Sequence, residues 1–81
     1  MVTRNELSDW FDEGLKEKAT HMIVVCDTYD YEDYPVFVSA NEDVREIEKE
    51  HKGKSMQMIM EVYNLSMNKE EQIAAVRAFN Y

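Results

Sequence analysis

One cysteine, one proline and two glycines stand in a chain of 81 residues. A lone Cys26 excludes an internal disulfide, so the fold must rest on a packed core, and its place in an apolar run marks it as a small buried hydrophobe. With so little Gly and Pro the chain is neither low-complexity nor linker-rich, and its length holds one domain. The longest wholly apolar run, Met22 to Cys26, has five residues, where a membrane-spanning helix needs about 20. The first ten residues carry Glu6 and Asp9 where a signal peptide would have its apolar region, so a cytoplasmic protein is expected. Cations are the other scarcity. Nine Lys and Arg face 17 Asp and Glu for a net charge of −8, which argues against direct nucleic-acid or membrane contact and for a partner protein with a basic surface. A chain this short buries only roughly 60% of its unfolded surface, which leaves a homodimer open as added support.

What is there reads as α-β-β-α-β-α. Thr3 and Glu6 have capping-box spacing, and Leu7, Trp10, Phe11, Gly14 and Leu15 form one apolar stripe, predicting a helix over 4–18 with Trp10 and Phe11 in the core. Thr20 to Cys26 is β-branched and apolar on both alternating faces, as a central strand requires. Val36 to Val38 resumes the apolar run, so the two segments read as a hairpin joined by a long acidic connection over 27–35, with Pro35 opening an edge strand. Ser39 and Glu42 repeat the capping spacing, Asn41 is a rival cap, and a surface helix should end near Gly53. The segment 56–65 is ambiguous. Its periodicity favours a helix, whereas the doubly apolar first strand needs a neighbour on its free edge, which favours a strand over 58–64. Asn68 caps a last helix over 69–79, marked by Ile73, Val76 and Phe79. The expected fold class is therefore α+β, a small antiparallel sheet in the order 2-1-3 with helices. The alternative is a β-hairpin wrapped by four helices.

No Lys or Arg lies between Lys18 and Arg45, while Asp27, Asp30, Glu32, Asp33, Glu42 and Asp43 do. With Tyr29, Tyr31 and Tyr34 interleaved, the 27–34 connection offers carboxylate acceptors and flat aromatic area, the pairing that suits a protein interface. The competing reading has the acids solvating a loop while the tyrosines fold back onto the sheet edge. The partner-binding residues expected are thus Asp27, Tyr29, Asp30, Tyr31, Glu32, Asp33 and Tyr34. Their spacing fits no calcium-loop signature, so neither metal nor cofactor is expected. His21 and Cys26, five apart on a strand, face opposite ways, and His51 sits on a charged helix. The chain carries no GxSxG, HExxH, P-loop or GxGxxG pattern, so no catalytic residue is assigned and a non-enzyme is expected. Two other readings stay open: a small metal-dependent hydrolase using the Asp27 to Asp33 carboxylates, and a self-associating structural protein. Met56, Met58, Met60 and Met67 could form an adaptable binding surface but read more readily as core filler, and Tyr81, which could dock on a partner, reads more readily as a frayed end.

The stretch from Thr20 to Val38, together with Met60-Glu-Val-Tyr-Asn-Leu65, resembles small uncharacterised acidic proteins encoded by bacteria and phages. The resemblance implies an inhibitor or adaptor that acts by binding in the host cytoplasm, nucleic-acid mimics that occupy a basic groove included. Host defence or nucleic-acid-handling proteins are the partner classes it implies. It lends no residue assignments.

Overall fold

The computed structural model describes residues 3–75 and 77–81. Its elements are α1 (Arg4–Lys16), β1 (His21–Asp27), β2 (Glu32–Val38), α2 (Val44–Lys52), β3 (Gln57–Asn64) and α3 (Lys69–Ala74). The sheet has the order β2-β1-β3 with both pairings antiparallel, the α+β arrangement expected, and the Met-rich segment is a strand. β1 is central and buried on both faces because helices lie on each side. Met22 and Val24 join Leu7, Phe11, Tyr63 and Leu65 in the cluster under α1, and Ile23 and Val25 join Val38, Val44, Ile59 and Val62 under α2. Each fully buried side chain of this size contributes about 1.5–3 kcal/mol.

The pairing of β1 with β3 shifts register between Val24 and Val25. Ile59 and Val62, three positions apart, consequently reach the same cluster, as a bulge permits and a regular strand does not. Beyond the bulge the ladder is regular, and alternation puts Glu61 on the same face as Tyr63. Tyr63 has no solvent exposure, and its hydroxyl donates to Glu61 Oε2 at 2.6 Å. Burial, then this carboxylate, pushes the phenol far above the usual tyrosine range.

Thr3 caps α1 by accepting the Glu6 amide at 3.2 Å. Gly14 permits a close approach: a Cβ there would lie 2.8 Å from Leu65 Cδ1 and 3.0 Å from Phe37 Cε1. Leu15, by contrast, is exposed, so the inner stripe is narrower than its spacing indicates, and α1 stops at Lys16 instead of 18. Lys18 then turns the chain with φ 62°. The cap of α2 is Asp43, which accepts the Arg45 amide at 2.9 Å. Neither Ser39 nor Asn41 serves. Ser39 and Glu42 instead close a turn before the helix, the Ser39 amide and hydroxyl both donating to Glu42 Oε1, which holds that carboxyl below its usual range.

The last helix ends at Ala74 and does not continue to 79. Val62 donates its amide to the Ala78 carbonyl and accepts from the Asn80 amide, at 2.8 and 2.9 Å, so residues 78–80 lie parallel to β3 on its outer edge. That edge offers unpaired backbone groups, and satisfying them outweighs extending a helix of modest propensity. Val76, one of the three apolar markers of the longer helix, lies outside the described residues. Gln72 fastens the arrangement. Buried at 4% exposure, its Oε1 accepts from the Asn64 amide and Asn80 Nδ2, and its Nε2 donates to the Asn64 and Asn68 carbonyls. Tyr81 is not frayed: its hydroxyl donates to Glu48 and its ring lies 4.1 Å from the Arg45 guanidinium.

Candidate interaction surface

The acidic connection is a tight turn. Pairing of β1 and β2 runs from His21 opposite Val38 to Asp27 opposite Glu32, leaving only 28–31 to reverse the chain. Glu32 and Asp33 are poor signals of a strand in isolation, yet with Tyr34 they continue the ladder because β1 stays extended to Asp27. Pro35 accordingly falls in the middle of β2, opposite Val24. β2 is an edge strand, where a missing donor facing away from β1 breaks nothing. Side chains build the turn. Asp27 Oδ1 accepts the Tyr29 amide at 2.9 Å and Asp30 Oδ1 accepts the Glu32 amide at 3.2 Å, two Asx-type contacts that substitute for backbone pairing. Tyr31 takes φ 59°, a region that favours Gly or Asn.

Of the seven residues expected to act together, the turn gathers five. Tyr29 and Tyr31 stand out at 76% and 72% exposure, flanked by Asp27, Asp30 and Glu32. Asp27 and Glu32 are directly opposite, a like-charge cross-strand pair that costs the fold about 0.2–1 kcal/mol. Asp33 and Tyr34 are drawn away. Asp33 pairs with Cys26 on the other face of the sheet; burial first, then the hydrogen bond to Asp33, pushes the Cys26 thiol up. Tyr34 packs into the cluster under α2 with its ring edge-on to His51, centroids 6.4 Å apart at 66°. Burial and the charge of Asp27 raise its phenol. The folding-back reading therefore describes Tyr34, and the outward reading describes Tyr29 and Tyr31.

Met56 stands at this turn although the expected partner-binding residues do not include it. The Thr28 amide donates to the Met56 carbonyl at 2.8 Å, which seats the α2–β3 loop beside the turn. Met56 has φ 62° and is 57% exposed, so a thioether joins the two phenols at this end of the sheet. Met58 and Met67 are also exposed and only Met60 packs against the core, which corrects the reading of the methionines as filler. The available cue is the run of thioethers itself, whose adaptability suits a binding surface as well as a core.

His51 is a packing residue, its Nδ1 3.1 Å from Gln57 Oε1. It lies on the α2 side of the sheet, whereas Cys26 faces the other way by alternation. Among the described residues no three His, Cys, Asp or Glu side chains are grouped to hold a metal ion, and no helix is long and apolar enough to cross a membrane. What the turn presents is two outward phenols, a thioether and three carboxylates, able to stack on and ion-pair with guanidinium and ammonium groups. No family model, curated protein or solved structure matches the chain.

Proposed function

We propose that the protein is a non-enzymatic binding protein whose hairpin tip, Asp27 to Glu32, engages a basic surface on another protein. The observation that carries this reading is the exposure of Tyr29 and Tyr31 at 76% and 72% between carboxylates. Aromatic side chains with little rotamer freedom supply contact area at low entropic cost, and the acids select a cationic partner. Two features of the turn disfavour the isolated fold: the Asp27–Glu32 opposition and the left-handed Tyr31. An interface rich in Lys and Arg offsets the first.

The test is capture of partners from a lysate of the native host on immobilised protein, with wild type compared against Asp30→Asn plus Glu32→Lys. The asparagine keeps the acceptor for the Glu32 amide, and a lysine side chain opposite Asp27 replaces repulsion with attraction, so the turn should persist. Proteins held by wild type and lost by the variant are expected, with unchanged circular dichroism. An identical set on both proteins would remove the tip from the function.

A further inference from the structure

Away from the tip, one groove carries more cationic than anionic side chains. Between α2, β3 and the C-terminal segment lies a groove of about 440 Å³, within the roughly 300–1,000 Å³ typical of small-molecule sites. Its walls carry the apolar surfaces of Met58, Ile59, Phe79 and Tyr81, and its charged members are Lys52, Arg77 and Glu48. Glu48 is already engaged by the Tyr81 hydroxyl. Arg77 spends its described contacts on the Ile59 carbonyl at 3.4 Å and on the face of Phe79 at 5.4 Å, and Lys52 has no ion-pair partner among the described residues. Lys52 and Arg77 thus flank an aromatic wall, and neither has a carboxylate at ion-pair distance among the described residues. The Arg77 guanidinium already lies between a ring and a carbonyl, and a guanidinium so placed loses less freedom on binding than a free one.

We propose that this groove binds a small apolar molecule ending in a carboxylate, with its body against Phe79, Tyr81 and Met58 and its anionic head between Lys52 and Arg77. The site stands apart from the hairpin tip and takes a ligand of opposite charge. A cationic ligand would meet two like charges and a carboxylate already in use.

The test is an amide-shift titration of ¹⁵N-labelled protein at pH 7 with 4-phenylbutyrate, 4-phenylbutylamine and 4-phenylbutanol. Saturable shifts confined to residues 48–52, 57–59 and 77–81 are expected with the carboxylate, with weaker effects from the alcohol and none from the amine. Lys52→Gln, an exposed change that leaves the walls intact, should weaken the carboxylate about tenfold, the loss expected for one charge-assisted contact. Arg77→Gln, which also loses the Ile59 contact, serves as a second variant read by the same shifts. Equal perturbation by the amine, no saturable shift with the carboxylate, or undiminished affinity in Lys52→Gln would overturn the proposal.

Discussion

Gln72→Leu should destabilise the protein by about 3 kcal/mol. Leucine is close in volume, so the loss comes from hydrogen bonding. The Asn64 amide and Asn80 Nδ2 lose their side-chain partner, while the Asn64 and Asn68 carbonyls keep the Met67 and Gln72 amides, and each part-buried group left unsatisfied costs about 1–3 kcal/mol. Urea denaturation would measure the loss directly. For a domain of this length the melting temperature should fall by roughly 12–24 °C. Hydrogen exchange at Asn64 should quicken in parallel, since this single side chain ties the end of β3 to α3 and to the C-terminal segment. A loss under about 1 kcal/mol would mean that the backbone pairings around Val62 hold the tail without it.

Tyr29→Ser combined with Tyr31→Gly should move stability and binding in opposite directions. Both rings are largely exposed, so the fold loses little contact. Glycine accepts the left-handed conformation of Tyr31 without the steric cost of a side chain, a gain of about 1 kcal/mol. Partner affinity should fall on the order of 30-fold or more, since two aromatic anchors at an interface contribute at least about 1 kcal/mol each. Thermal melts and calorimetric titration with the captured partner would give both values. Loss of stability together with loss of binding would instead identify the tyrosines as structural.

Much of the fold is legible in the sequence because its strongest signals are local or follow from pairing. The caps at Thr3 and Asn68 are where their spacing puts them. The order β2-β1-β3 follows from one argument: Met22 to Cys26 is apolar on both faces, so it needs a strand on either side. That requirement is what identifies β3, whose own periodicity misleads. Ile59 and Val62 share a face at a spacing of three, a helical interval, because a bulge and not a helical turn separates them. The C-terminal error has the same origin. Ile73 and Phe79 fit a helical stripe, yet Phe79 belongs to a bridge with Val62, a long-range contact that no local spacing reports. Gln72 is similarly silent, since a glutamine on a charged helix reads as surface.

The candidate surface is legible in composition and not in geometry. The scarcity of cations between Lys18 and Arg45 and the run of tyrosines are plain in the chain. Which rings turn outward depends on the length of the turn, and that depends on register. Once Asp27 pairs with Glu32, alternation sends Asp33 to Cys26 and Tyr34 to His51. Met56 enters through a single backbone hydrogen bond from Thr28, which nothing in its own neighbourhood foretells.

The most direct measurement is the salt dependence of affinity for the captured partner, in wild type and in Asp30→Asn plus Glu32→Lys. Wild-type affinity should drop on the order of tenfold as the Debye length shrinks from about 10 Å near 0.1 M salt to about 3 Å near 1 M. The variant should bind more weakly at low salt and respond little to added salt. Equal affinities with the same salt slope for both proteins would contradict an acidic tip that reads a basic surface.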